Sequence, residues 1–122
     1  MENLKFYNDE HKNFYDENTK DKKLDVYNKS LIYLLGLTKE TREHYSKIYN
    51  DVSKEIKFGA VNEGWQTGTS QAITKLAFNL FNGFTGLEDR EGRQYSVENI
   101  FAYTEFAPYM YEAIKIRFRI EK

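Results

Sequence analysis

The sequence has 122 residues, of which 40% are hydrophobic and 30% charged, so its length and composition suit one domain with a buried core. Its 19 acidic and 18 basic residues give a formal net charge of -1, which argues against a surface that binds polyanions throughout and equally against an acidic mimic of nucleic acid. The absence of cysteine excludes disulfides, thiolate zinc sites and cysteine nucleophiles.

The opening segment "MENLKFYNDEH" lacks the apolar run of a secretory signal peptide. The longest uninterrupted apolar stretch is "LIYLLGL", whereas a helix that spans a bilayer needs about 20 such residues. We therefore expect a cytoplasmic protein that makes no contact with a membrane.

Apolar residues recur at helical spacing along most of the chain. Three stripes are, in chain order, Leu24, Tyr27, Leu31 and Leu34, then Tyr45, Ile48, Tyr49 and Val52, then Ile73, Leu76, Ala77, Leu80 and Phe81. The pattern predicts helices over residues 8–18, 22–35, 39–53, 70–82, 96–103 and 108–118, with an exposed connector at residues 84–95. The predicted fold class is therefore all-α, a compact single-domain bundle of five or six short helices.

The residues at the ends of these segments agree with helix boundaries. Thr38 and Ser96 precede helical stretches and are predicted N-caps. Gly36 and Gly83 follow helical stretches, where a residue in the left-handed conformation is common. Pro108 suits the first turn of the last helix, where its missing N–H would have no partner in any case.

The segment Gly64–Ser70, "GWQTGTS", contains the only tryptophan and runs directly into the stripe that begins at Ile73. Thr69 or Ser70 is the predicted cap of that helix. Three interpretations remain open: a structural helix start with the tryptophan filling a gap, a site for a small anion at the helix N-terminus, and a contact with a partner protein. A Walker-type loop is excluded because its lysine is missing.

The sequence offers no recognisable catalytic or metal-binding motif. It has two histidines, His11 and His44, while a zinc site needs three or more convergent ligands. No Gly-x-Ser-x-Gly motif surrounds Ser70. We therefore predict no cofactor, no metal and no catalytic residue, and the sequence leans against an enzyme.

The C-terminal stretch "KIRFRIEK" and the ten tyrosines are the remaining candidates for binding. Basic residues around an aromatic can follow a phosphate backbone, but the helix dipole also favours cations at a helix C-terminus. The tyrosines are explained either by a protein interface or by aromatic core packing. Nucleic acid is therefore expected as an indirect partner, if as a partner at all.

Four stretches, "HKNFY", "YNKSLIYLLGLTKETREHYSKIY", "GWQTGTSQAITKLAFNLFNG" and "FAPYMYEAIKIRF", resemble an uncharacterised family of small proteins with a domain of unknown function. The resemblance spans nearly the whole chain, and the Gly-Trp-Gln-Thr-Gly-Thr-Ser string is its most distinctive part. It implies an origin in Firmicutes and related bacteria, often in prophages and other mobile elements. It implies no activity and no catalytic residues.

Together these observations predict a non-enzymatic protein-binding module from a phage or mobile element, with a host or phage protein as partner. An anti-CRISPR-like inhibitor of a bacterial defence protein is the specific form of this hypothesis. The alternative is a protein that binds a small anionic ligand or nucleotide, or an enzyme acting on one, at the helix start Gly68–Ser70. The candidate contact residues are Arg42, Trp65, Gln66, Thr67, Gly68, Thr69, Ser70, Tyr109 and Tyr111.

Overall fold

The computed structural model describes residues 4–83 and 104–119. Six α-helices account for most of these described residues. They are α1 (Asp9–Thr19), α2 (Val26–Leu35), α3 (Lys39–Glu43), α4 (Tyr45–Ile48), α5 (Gly68–Asn82) and α6 (Ala107–Phe118). Two 3₁₀ helices, Phe58–Asn62 and Thr104–Phe106, precede α5 and α6. The predicted mostly helical fold is confirmed. The predicted helix at residues 96–103, its cap Ser96 and the connector at residues 84–95 lie outside the described residues.

The second helix, α2, is the centre of the hydrophobic core. Residues 30–38 are all buried, and α2 packs against α1, α5 and α6. Fully burying one large apolar side chain contributes about 1.5–3 kcal/mol, so helices this short are stabilised by packing more than by their own propensity. The fully buried side chains include Leu31, Leu34 and Leu35 of α2, Ile73 and Phe78 of α5, and Met110 of α6.

The prediction of a single helix over residues 39–53 is wrong. After α4, the chain forms a small antiparallel hairpin in which β1 (Tyr49–Asn50) pairs with β2 (Glu55–Ile56). The Asn50 side chain accepts hydrogen bonds from the backbone N–H groups of Val52 and Ser53, at 2.9 and 3.1 Å. Asparagine readily forms such turns, and here the turn ends the helical pattern. Val52, predicted on the buried stripe, is 87% exposed.

Three of the predicted helix ends are confirmed. The Thr38 hydroxyl accepts from the N–H of Thr41 at 3.2 Å, Pro108 lies in the first turn of α6, and Gly83 is left-handed with a φ of 80°. The left-handed prediction for Gly36 is wrong, because its φ is −81°. A glycine is needed there for space, since a Cβ would lie 2.9 Å from Cδ2 of His11 and from Cδ2 of Phe14.

The second predicted helix begins at Val26 and not at residue 22. The carboxylate of Asp25 caps it by accepting from the N–H of Asn28 at 2.9 Å. Just before it, Asp21 adopts a positive φ of 59°, which does not belong to a right-handed helix. In the described part of the chain, every helix is too short or too polar to cross a membrane.

Candidate functional site

The start of α5 is built by a reciprocal pair of side-chain hydrogen bonds. The Thr67 hydroxyl accepts from the N–H of Ser70 at 3.0 Å, and the Ser70 hydroxyl accepts from the N–H of Thr67 at 2.8 Å. This is a capping box with serine in its third helical position. The prediction that Thr69 or Ser70 is the cap is therefore corrected to Thr67. Gly68 and Thr69 lie inside the first turn.

Gln66 and Ser70 of the segment Gly64–Ser70 form hydrogen bonds to each other and to neighbouring residues. The Gln66 amide donates to the carbonyl of Ala60 at 3.0 Å and to the hydroxyl of Thr74 at 3.2 Å. Its carbonyl oxygen accepts from the hydroxyl of Ser70 at 2.6 Å, and Ser70 is fully buried. These bonds connect the 3₁₀ helix Phe58–Asn62 with the start of α5, so Gln66 and Ser70 have a structural role.

Trp65 packs as a partly buried side chain against the junction between α3 and α4. Its ring stacks on that of His44 with centroids 4.1 Å apart and an angle of 4° between the planes. The indole N–H donates to the carboxylate of Glu63 at 2.6 Å, and His44 Nδ1 lies 2.8 Å from the carbonyl of Glu40. The tryptophan therefore joins two segments, as the structural interpretation of "GWQTGTS" expects.

An open cleft of about 480 Å³ brings three of the predicted contact residues together, namely Arg42, Thr67 and Thr69. Its lining includes the caps of three helices, Asn8 of α1, Thr38 of α3 and Thr67 of α5. Helix N-termini attract anions, and Arg42 adds a positive charge. Part of the Arg42 guanidinium is already used, because Nη1 donates to the carbonyl of Gly36 at 2.8 Å.

The two predicted tyrosines of α6 lie in different surroundings. Tyr109 is half-buried, and its ring packs edge-to-face on that of Tyr7 at 5.5 Å. Tyr111 is 53% exposed. Tyr109 therefore adjoins the cleft at the start of α5 through Tyr7, whereas Tyr111 does not line that cleft.

A surface along the outer side of α6 combines Tyr111 and part of the stretch "KIRFRIEK", two binding candidates that the sequence analysis had treated separately. Tyr111, Lys115 and Phe118 lie four and three residues apart and so share one helical face. The Lys115 ammonium lies 5.6 Å from the centre of the Tyr111 ring. Tyr27 of α2, whose periodic spacing predicted burial, is 40% exposed and adjoins this face through Arg117. We use the name aromatic face for Tyr27, Tyr111, Lys115, Arg117 and Phe118. The helical spacing of the α6 residues in the sequence is the signal that could have predicted this face.

Several titratable groups with shifted pKa values lie in the core, while the pKa of the exposed Tyr7 is raised mainly by its hydrogen bond to the Glu105 carboxylate. Burial is the main cause that lowers the pKa of His11 to about 4, and burial raises the pKa of Tyr49 to about 12. The hydroxyl of Tyr49 donates to Asn28, so it serves a structural hydrogen bond. Across residues 4–83 and 104–119, no three histidine or acidic side chains are grouped closely enough to hold a metal ion.

Comparison with known protein families adds one result. The model of a family of unknown function, DUF6075, matches residues 1–122. The chain belongs to this family. DUF6075 membership confirms the resemblance to a domain of unknown function, while the bacterial and prophage setting stays a prediction. No curated protein and no solved structure matches this DUF6075 chain.

Proposed function

We propose that this chain is a non-enzymatic binding module that contacts a partner protein through the aromatic face. The observation that carries the proposal is the exposure of two large aromatic side chains on one side of α6, Tyr111 at 53% and Phe118 at 56%. Tyrosine, phenylalanine and arginine are enriched in protein interfaces, and a few such residues supply most of the binding energy.

The arrangement of charges on the aromatic face also fits an interface. The guanidinium of Arg117 lies 3.9 Å from the ring centre of Tyr27 and 4.6 Å from that of Phe118. Stacked cations of this kind keep aromatic rings ordered while leaving their outer surfaces available. By contrast, the polar groups of Gln66 and Ser70 are occupied within the protein. Among the predicted contact residues, Tyr111 is therefore the one that this proposal retains.

Affinity capture from a bacterial host lysate tests the proposal. The double variant Tyr111→Ala/Phe118→Ala removes two exposed rings, so we expect partner retention to fall by about tenfold or more with little change in thermal unfolding. Val52→Ala is the matched control, because Val52 is also an exposed apolar residue but lies on the hairpin. The proposal is contradicted if no stoichiometric protein is retained, or if the double variant retains as much as the wild type.

The specific form of the proposal is an inhibitor of a bacterial defence protein, encoded by a phage or mobile element and comparable to an anti-CRISPR factor. Its support is the genomic setting that the family resemblance implies, together with the small size of the chain. Expression in a host with active CRISPR immunity should raise the plating efficiency of a targeted phage. The double variant should lose this effect, and equal plating with and without the protein would reject this form.

The cleft beside Arg42 supports a second candidate function, the binding of a small anionic ligand or nucleotide. Its specific observation is that the caps of α1 and α5 and the side chain of Arg42 border the same open volume of about 480 Å³, which Glu40 also lines. Within the described residues, no acceptor bonds the backbone N–H groups of Gly68 and Thr69. Such groups can bind phosphate or carboxylate oxygens.

Thermal unfolding with phosphate and nucleotides tests this second candidate. At a hundred times Kd, a ligand of the folded state adds about 2.7 kcal/mol of stability. Lys39→Gln removes a cation from the cleft wall, so stabilisation should weaken in this variant. Ser70→Ala is unsuitable as a probe, because Ser70 belongs to the capping box. An unchanged midpoint with every ligand would reject this function.

A further inference from the structure

The side chain of Arg117 is fixed in position from three directions. Its Nε donates to the backbone carbonyl of Leu80 at the end of α5, at 2.6 Å. The rings of Tyr27 and Phe118 stack against the guanidinium at 3.9 and 4.6 Å from their centres. A long and otherwise mobile side chain is thereby held in one orientation. It needs little further ordering to bind a ligand.

The two Nη groups of this guanidinium have no hydrogen-bond acceptor among the described residues. An arginine carries N–H donors on Nε and on both Nη atoms, and toward the described residues Arg117 donates through Nε alone. Among residues 4–83 and 104–119, no acceptor bonds either Nη atom and no carboxylate forms an ion pair with Arg117. The two Nη groups together form the planar fork that binds two oxygens of one oxyanion.

We propose that Arg117 is a preorganised receptor for a carboxylate of the partner protein, supplied by an aspartate or glutamate side chain. This inference rests on the function proposed above and assigns the chemistry of the partner. The carboxylate would accept from both Nη atoms in a bidentate pair. The exposed rings of Tyr27 and Phe118 would pack on the aliphatic part of the acidic side chain and on its apolar neighbours. They would also keep water from the ion pair, which strengthens it.

The charges around Arg117 favour a protein carboxylate over the phosphate backbone of a nucleic acid. Binding to a phosphate backbone uses several cations in a row. The nearest cation on the aromatic face, Lys115, is already paired with the carboxylate of Glu112 at 3.2 Å. The rings of Tyr27 and Phe118 flank the guanidinium of Arg117, and the exposed Arg119 lies beyond the end of α6 as its C-cap. A single acidic side chain among apolar residues matches this surface.

Nuclear magnetic resonance of the Arg117 side-chain Nε–H group tests the inference. The probe is the blocked dipeptide acetyl-Glu-Leu-amide, with inorganic phosphate as a second arm. We expect a saturable shift at Arg117 with the dipeptide and a clearly smaller, unsaturated shift at Arg119. Arg119 is the internal control, because it is an exposed arginine next to α6 and no ring of the described residues stacks on it. Equal shifts at both arginines, no shift at Arg117, or saturation by phosphate alone would overturn the assignment.

Two variants separate the planar fork from positive charge in general. Arg117→Lys keeps the charge but removes the fork, so dipeptide affinity should fall by about tenfold. Phe118→Leu keeps the bond to Leu80 and removes one stacked ring, so affinity should fall by about threefold with unchanged folding. Unchanged affinity in both variants would contradict the inference.

The same variants distinguish this inference from the proposed function. If Arg117→Lys still retains the partner protein at wild-type levels while the Tyr111→Ala/Phe118→Ala variant does not, the carboxylate receptor is rejected and the binding module stands. If the dipeptide saturates Arg117 but no protein is retained by the wild type, Arg117 binds carboxylates, and both the proposed function and the assignment of that carboxylate to a partner protein are rejected.

Discussion

His11 lies fully buried between backbone groups of two separate segments. Its Nδ1 accepts from the N–H of Tyr7 at 3.0 Å, so this nitrogen carries no proton. The proton therefore sits on Nε2, which donates to the carbonyl of Tyr33 at 2.7 Å. The ring is neutral and fixed at both nitrogens, and it connects the segment before α1 with α2.

Stability should fall in mildly acidic solution because of His11. Burial lowers its pKa from 6.5 in the unfolded chain to about 4 in the folded protein. Between these values the unfolded chain binds the extra proton, so lowering the pH favours unfolding. We expect the free energy of unfolding to decrease by about 2 kcal/mol from pH 7.5 to pH 5. Urea unfolding at both pH values measures this, and a His11→Gln variant should show a smaller pH dependence.

Gly36 should not tolerate alanine. A Cβ there would lie 2.9 Å from Cδ2 of His11 and 2.9 Å from Cδ2 of Phe14, and the His11 ring cannot move without losing its hydrogen bonds. We expect Gly36→Ala to destabilise the protein by about 1–3 kcal/mol in urea unfolding. Gly59→Ala is the control, because a Cβ at Gly59 meets no atom within 4 Å. Equal effects of the two substitutions would show that the steric argument is wrong.

At the scale of single elements, local signals decided where helices begin and end. The apolar spacing predicted α2 and α5, and Pro108 indicated the first turn of α6. The same spacing failed after α4, where the hydrogen bonds of the Asn50 side chain formed a turn instead. At the start of α5, the four consecutive hydroxyl and glycine residues at positions 67–70 gave equivalent signals, so the sequence could not single out Thr67 as the cap.

The capping box predicts unequal effects for two neighbouring threonines. Thr67→Val removes the hydroxyl that accepts from the N–H of Ser70, so the free energy of unfolding should decrease by about 1 kcal/mol. Thr69→Val removes a hydroxyl that has no hydrogen bond among the described residues and should change stability by less than about 0.5 kcal/mol. Thermal unfolding of both variants checks this, and a larger loss for Thr69→Val would refute the assigned cap.

At the scale of the whole molecule, a few polar contacts join segments that are far apart in the chain. The carboxylate of Glu112 in α6 is buried, and it accepts from the N–H of Lys5 at 3.2 Å. The hydroxyl of Tyr33 in α2 donates to the carbonyl of Lys5. The segment before α1 is thereby attached to two central helices at the same residue.

Glu112→Ala should detach this segment. It leaves the N–H of Lys5 without its acceptor and the ammonium of Lys115 without its carboxylate, so we expect a loss of about 1–3 kcal/mol. Hydrogen exchange at Lys5 should become faster than exchange in α2. Glu43→Ala is the control, because Glu43 forms only an exposed pair with Lys39 at 3.7 Å. Unchanged exchange at Lys5 would contradict the role of Glu112.

The helical class followed from the periodic pattern, but the candidate site did not. The stack of Trp65 on His44 and the bond from Arg117 to Leu80 join residues that are distant in sequence. Such contacts depend on how the helices pack, and one sequence carries no direct signal for them. The exposed position of Tyr27 has the same origin, since its spacing matched that of buried neighbours.

The tip of the hairpin is a suitable site for attaching a chemical label. Val52 is 87% exposed at a tip whose shape comes from the side chain of Asn50, so its own side chain can be replaced freely. Because the native chain contains no cysteine, Val52→Cys introduces a unique thiol. A maleimide dye attached there would report the rotational diffusion of the molecule, and its fluorescence anisotropy would increase when a larger protein associates.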